Sequence, residues 1–412
     1  MTAGHDTRTA HPELAAAARL TDPSFYAGDP HPVYARLRAE APVFWCEAGQ
    51  FWALSKYEDV RRVGHDSQVF SSGRGTLLTD GRARDAGGPH LPGARHLMRS
   101  DPPDHTLLRK ITSWSFTPRM VASLEERARV IARELLGMID GAQVTDVVAA
   151  LSAPLTTYVI AELMGVPRER WAEFWTWTDS AILQVDAGRG EPGLARHVAD
   201  LIAFFGELLA ERRSRPGDDV VSELAAGQIR GEPLTEADLL TYCKFLLVAG
   251  TETTRNLISS GTALLSEHPE QRRLVFYDRS RLPAAVEEML RVTSPVLAFC
   301  RTATCATQIR GQEIAAGDYV AMLYPSANRD EEIWPDPDRF DSLRRQERPH
   351  LAFGFGPHVC LGANLARMEA RVLFDELLTT FPQFEAAGPA VRGRSTLVAM
   401  VSELPVVFGP RA

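Results

Sequence analysis

Polar and apolar residues alternate from Pro42 to Ser55 around Glu47-Ala48-Gly49-Gln50, which predicts a β-hairpin. Helical periodicity then takes over. It predicts helices over Asp104 to Asp140, Pro154 to Leu163, Arg168 to Val185, Leu194 to Arg213 and Leu234 to His268. Another spans Pro283 to Val292, with a proline where a first turn tolerates it. Arg310 to Leu323 reads as short strands around Gly311 and Gly317, and Tyr324 to Gly356 reads as loop. A last long helix starts at Cys360, where Leu361, Leu365, Met368 and Val372 recur at helical spacing. Between the hairpin and the first long helix, Ser71 to Ser100 is rich in Gly, Arg and Pro and has no period. A loop of that length in a compact chain is usually a lid or binding loop. The pattern predicts a mainly α chain with small β-sheets (α+β), its strands near the two ends. No internal repeat and no linker divides it. Residues 1–412 read as one domain, with residues 1–20 as a flexible N-terminus.

Composition narrows this picture. The 412 residues are 45% hydrophobic and 24% charged, enough for a large core. A net charge of −8 argues against a nucleic-acid binder, which carries a basic face. Met-Thr-Ala-Gly-His-Asp-Thr-Arg lacks the apolar core of a signal peptide. The most apolar stretch, Leu239 to Gly250, is broken by Lys244 and ends at Glu252, so no membrane span is expected and the expected location is the cytoplasm. Five scattered cysteines (Cys46, Cys243, Cys300, Cys305, Cys360) do not suit a disulfide framework, and none has zinc-site partners at the right spacing.

The most informative segment is Phe353-Gly354-Phe355-Gly356-Pro357-His358-Val359-Cys360-Leu361-Gly362. Glycines and a proline make a tight loop that delivers one cysteine to a helix start. Free amide N–H groups and the helix dipole favour a thiolate there. Gly356 and Gly362 let a flat ligand approach the backbone. A large planar cofactor with an axial thiolate fits this design. The loop resembles that of the cytochrome P450 family, with Phe353, Gly356, Cys360 and Gly362 at its constrained positions. The resemblance implies the P450 fold, with haem b between a long kinked helix and the cysteine-loop helix. It implies Cys360 as the metal ligand and His358 on a haem propionate.

Three further motifs follow in family order. Glu288 and Arg291 are three apart and share a helix face. In the family this pair is buried and joined by an arginine from a later loop, and the resemblance points to Arg339 in Pro335-Asp336-Pro337-Asp338-Arg339-Phe340-Asp341. Ala249-Gly250-Thr251-Glu252-Thr253-Thr254 puts an acid and hydroxyls inside an apolar helix, where Thr253 can bond back to the Ala249 carbonyl. It looks like the P450 oxygen-activation motif. Thr253 would then donate a hydrogen bond to dioxygen and Glu252 would help relay protons, where many members carry Asp. His105 and Arg109 are four apart on one helix face, and two donors on one face suit an anion. The resemblance places both on the haem propionates, with Arg301 as a third. It also sets Ala249, Gly250, Phe353, Gly354 and Gly362 against the haem.

The activity so implied is a monooxygenase that inserts one atom of O2 into a C–H bond of a hydrophobic small molecule. Electrons would come from ferredoxin and ferredoxin reductase, since the chain has no flavin or iron–sulfur region. Lys110, Arg344, Arg345 and Arg367 are candidate docking charges. Expected substrate walls are the 71–100 loop, the helix before Gly188, Leu246 to Ala249 (Leu246 and Val248 above all), Val296 to Phe299 (Val296, Leu297 and Ala298 above all) and Leu397 to Val398. Pro325 to Asp330 and Ala249 to Asn256 resemble actinobacterial members acting on steroids, terpenoids and branched lipids. Two alternatives keep the haem: a peroxygenase, which would need no acid and alcohol such as Glu252 and Thr253, and a non-enzymatic haem sensor. A third, an NAD-dependent dehydrogenase, rests on Gly188-Arg189-Gly190-Glu191-Pro192-Gly193. There Pro192 removes an amide from the supposed phosphate cradle and no second strand follows.

Overall fold

The computed structural model describes residues 11–82, 93–187 and 192–411. Near the start, α1 (Pro12–Ala17) buries Leu14, and Leu20 follows it into an apolar cluster with Tyr34, Phe44, Phe51 and Leu78. Residues 11–20, expected as part of a flexible N-terminus, are instead held in place, because these two leucines are anchored in that cluster.

That sheet has five strands: β1 (Val43–Cys46), β2 (Phe51–Leu54), β3 (Phe70–Ser71), β4 (Ala298–Ala303) and β5 (Tyr319–Leu323), in the order β1-β2-β5-β4-β3. β1 and β2 form the predicted hairpin, with Trp45 opposite Trp52. β5 runs parallel to β2 and antiparallel to β4. Beside the sheet, α2 (Tyr57–His65) leads into the 71–100 loop. The described parts of this loop are tied to each other, since Asp80 takes both Arg99 (2.9 and 2.8 Å) and the Thr76 N–H (2.8 Å).

Helices form the larger body: α3 (Asp104–Thr112), α4 (Pro118–Gly137), α5 (Ala153–Leu163), α6 (Trp171–Ala187), α7 (Pro192–Ser214), α8 (Glu236–Glu267), α9 (Leu282–Thr293) and α10 (Ala363–Thr380). The single helix expected over Asp104 to Asp140 is two. The first ends at Thr112, and after a turn Pro118 holds Thr117 in an extended conformation (ψ 153°) at the N-cap position of the next. α8 starts on a reciprocal cap, with the Thr235 hydroxyl accepting from Asp238 N and the Asp238 carboxylate from Thr235 N (3.1 and 3.0 Å). It then runs 32 residues without a break. The nicotinamide-type glycine motif lies, at residues 188–191, outside the described residues. Among the described residues no helix is long and apolar enough to cross a membrane.

Candidate active site

One internal cavity lies between α3, α8, the strand entry at 295–301 and the loop 352–362. His105, Arg109, Ala249, Gly250, Thr253, Arg301, Phe353, Gly354, His358, Cys360 and Gly362 all line it. Residues scattered over 258 positions of sequence thus meet in one place.

The cysteine loop closes on itself: Cys360 N–H donates to the Phe353 carbonyl (2.8 Å) and Val359 N–H to Gly356 O (3.0 Å). Cys360 stands before α10, whose cap is Gly362, rather than in its first turn. Cys360 is exposed to the cavity that it lines. Burial pushes its thiol up, against the opposing pull of the Gly362 N–H and the charges of Arg109 and Arg367. The helix start alone therefore does not make a thiolate. A coordinated metal would, because it deprotonates a thiol outright. Gly362 fits the expectation of an open approach, since a Cβ there would meet nothing within 4 Å. Gly356 serves another purpose: its φ of +77° and its contact with the Gly64 carbonyl lock the loop onto α2.

Opposite charges are missing where they would be expected. Among the described residues, neither ring nitrogen of buried His105 has a hydrogen-bond partner. Its ring centroid lies 4.0 Å from that of His358, whose Nε2 is 3.1 Å from the Ser72 hydroxyl. Arg301 is buried and, among the described residues, donates only to its neighbour's carbonyl (2.7 Å). Among the described residues no acid forms an ion pair with Arg109 or Arg301. Burial and these two arginines hold His105 down at about 4, and burial with Arg301, His105 and Arg109 holds His358 down at about 2. A buried cationic cluster without an anion is costly, so the cluster fits a dianionic ligand beside Cys360. A haem with its two propionates is such a group.

On α8, Thr253 lines the cavity and donates to Ala249 O (2.8 Å), as its spacing predicts. A Cβ on Gly250 would come within 3.0 Å of the Ile160 side chain of α5, so a larger residue there would make that side chain shift. Glu252 does not face the cavity. Its buried carboxylate meets Arg255 (2.6 Å) and accepts from Asn256 (2.9 Å), while Arg255 also reaches Asp179 (3.6 Å).

Beneath the loop, Glu288 and Arg291 are fully buried and doubly hydrogen-bonded (both 2.8 Å). The third member is Arg344, not Arg339. Arg344 donates to Glu288 at 2.9 Å and to the Pro335, Asp336 and Arg339 carbonyls. Arg339 contributes only that carbonyl, because its side chain points outward from the turn. Arg344 is thereby removed as a docking charge, and Arg367 is held by Glu287. Lys110 and Arg345 are exposed.

Of the expected substrate walls, Leu246 and Val296 line the cavity and Val248, Leu297, Ala298 and Val398 do not. Val248 lies half a helical turn round from Leu246 and packs into the helical core. Ala298 points to the opposite strand face from Phe299 and Arg301, and joins Leu297 in the sheet core. Val398 is buried in a bridge to Val296. Leu97 and Met98, from the expected 71–100 loop, also line it, whereas Phe116, Phe245 and Tyr324 were not foreseen. A helical stripe through 246, 249, 250, 253 and 257 would have separated Leu246 from Val248.

The comparisons agree with this geometry. The family model "Cytochrome P450" matches residues 193–388. Linalool 8-monooxygenase of Pseudomonas putida is 35% identical over 95% of this chain and 99% of its own length. This chain belongs to the cytochrome P450 family. Methyl-branched lipid omega-hydroxylase of Mycobacterium tuberculosis is 37% identical over 91% of this chain and 90% of its own. Among solved structures, CYP108D1 from Novosphingobium aromaticivorans superposes with a TM-score of 0.85 at 34% identity, over 97% of this chain and 98% of that one. The P450 carries a haem-thiolate cofactor and is an oxygen-incorporating monooxygenase of hydrophobic small molecules. The sensor and dehydrogenase alternatives fall away with that assignment.

Proposed function

We propose that this P450, as one domain in the cytoplasm, uses haem b to hydroxylate a terpenoid, steroid or branched lipid, with electrons from ferredoxin and ferredoxin reductase. The observation that carries the reading is the single cavity in which Cys360, the unpaired His105–Arg109–Arg301 cluster and Thr253 meet under an apolar roof of Phe245, Leu246, Val296 and Phe299. Relatives named for linalool, steroid and methyl-branched lipid oxidation support the substrate class.

Cys360 would ligate the metal, and Arg109, Arg301, His105 and His358 would hold the propionates. The bound group supplies reductive activation of O2, favoured by electron donation from the thiolate. The apolar roof binds a hydrophobic substrate and excludes water. Thr253 keeps its proton on Ala249 O and has two lone pairs free toward the cavity. Glu252 can pass protons to the cavity only when its carboxylate leaves Arg255. Lys110 and Arg345 remain as docking charges for an acidic ferredoxin.

The test is the carbon monoxide difference spectrum of the reduced protein. A strongly red-shifted Soret band is expected, and its loss in Cys360→Ala with haem retained assigns the ligand. Haem binding with the shorter-wavelength band of a neutral or histidine ligand would refute the reading. Spin-state shifts on adding terpenoids, steroids or branched fatty acids then test the substrate class.

A further inference from the structure

Two adjacent acids on α9 have separate partners. Glu288 belongs to the buried arginine cluster. Glu287 belongs to a second cluster that neither lines the cavity nor shares that network. Arg367 of α10 grips Glu287 with both donors, Nε to Oε1 at 2.6 Å and NH2 to Oε2 at 2.9 Å. His350 Nε2 lies 3.2 Å from Glu287 Oε2, while its Nδ1 accepts the Ala352 N–H (3.2 Å). The Arg367 guanidinium carbon stands 4.6 Å from the centroid of the Phe353 ring, and the His350 ring 5.7 Å from it. Phe353 in turn accepts the Cys360 N–H. Three elements, α9, the loop and α10, therefore converge on the residue that closes the cysteine loop.

We propose that Glu287, Arg367 and His350 are positioning residues that fix Phe353 against Cys360 and balance the charge felt by its sulfur; this rests on the haem-thiolate reading above. Arg367 brings a positive charge against the Phe353 ring, and Glu287 meets that charge at hydrogen-bond distance. Burial alone would raise the Glu287 carboxyl, yet His350 and Arg367 hold it down at about 2, so both charges persist at neutral pH. Reduction of the haem adds one negative charge next to this pair. A lone Arg367 stabilises the reduced state and a lone Glu287 opposes it. The matched pair leaves the sulfur's own donation to set the balance.

The experiment compares midpoint potentials of the haem-loaded protein in Glu287→Gln, Arg367→Gln, the double variant and Arg367→Lys. The expected shift is upward for Glu287→Gln and downward for Arg367→Gln. Each corresponds to about a tenfold change in the one-electron equilibrium constant, ~59 mV. The double variant and Arg367→Lys should return to within about twofold of the parent, ~18 mV on the same scale. The red-shifted carbon monoxide band should persist in all four. Shifts in the same direction, or no shift while thermal stability falls, would reduce the cluster to a structural tie and overturn the proposal. A parent protein without that band fails the haem-thiolate reading itself, and the proposal with it.

Discussion

Arg344 and Arg339 give a direct test of how the core beneath the cysteine loop is held. Arg344 donates to Glu288 and to three carbonyls, with its side chain 11% exposed and Glu288 fully buried. In Arg344→Ala, Glu288 keeps Arg291 and the Asp341 N–H but loses its second guanidinium, and the Pro335 carbonyl loses its donor, while the Asp336 and Arg339 carbonyls keep the Arg339 N–H and Arg291. Breaking a buried pair from one side costs about 3–5 kcal/mol. Unfolding entropy of roughly 2.1 cal/mol/K per residue gives about 0.87 kcal/mol/K for this chain, so Tm should fall by about 3.5–6 °C. Arg339 contributes a backbone carbonyl that alanine retains. Arg339→Ala should therefore stay within about 0.5 kcal/mol, under 1 °C. Arg344→Lys should recover only part of the loss, because one ammonium cannot reproduce a planar fork. Thermal unfolding by far-ultraviolet circular dichroism measures all three. A fall in Arg339→Ala equal to that in Arg344→Ala would refute the reasoning, as would an unaffected Arg344→Ala.

Gly356→Ala should cut the haem-to-protein ratio at least severalfold, because its Cβ would collide with the Gly64 carbonyl at a φ only glycine tolerates; normal haem loading would count against that account. The apoprotein should lose stability as pH falls from about 6.5 toward about 4. His105 is kept neutral in the fold while the unfolded chain takes up the proton, so its contribution is whole above the ordinary histidine range and lost below it. Haem loading should blunt this loss, since a propionate beside the ring favours the imidazolium, and Tm against pH for apo and loaded protein would show whether it does. Leu246→Ala should weaken binding of hydrophobic ligands by about 5–30-fold, whereas Leu297→Ala should cost about 2–5 kcal/mol of stability and leave ligand affinity near the parent value. Ligand titrations and melting curves that reversed these two outcomes would overturn the division between roof and core.

What the sequence disclosed depended on range. The Phe353 to Gly362 loop was legible because its constraints are local: a left-handed glycine, a fixed proline, one sulfur. Thr253 was legible because a helix fixes the partner four residues back. The break between Thr112 and Pro118 is partly written in Pro118, whose backbone sterics override the apolar period that runs across it. Arg344 was not legible. Arg339 and Arg344 lie in one loop, and which of them turns inward is decided by the chain reversal at 335–344 meeting a fixed Glu288. The inward face of β4 was equally hidden, since Leu297, Ala298 and Phe299 are all apolar and differ only in which side of the sheet they meet. The orientation of Glu252 follows from helical phase, about 100° from Thr253, once the face toward the cavity is known.

The two adjacent acids on α9 show how the molecule divides its charges. Glu287 and Glu288 sit about 100° apart on one helix, so each reaches a different arginine and a different end of the segment leading to Cys360. Glu288 with Arg291 and Arg344 fixes the approach at 335–344, while Glu287 with Arg367 and His350 fixes the closing residue Phe353. Those arginines meet carboxylates at hydrogen-bond distance. Arg109 and Arg301 do not among the described residues, although carboxylates are plentiful elsewhere and burial makes an unmatched guanidinium costly. A chain that pairs its structural arginines this closely and leaves the buried Arg301 and the half-buried Arg109 open, next to a histidine with both nitrogens unused, has left room for an anion absent from its described residues. The same cavity wall presents a cysteine sulfur, which selects a propionate-bearing metal cofactor over a simple phosphate ester.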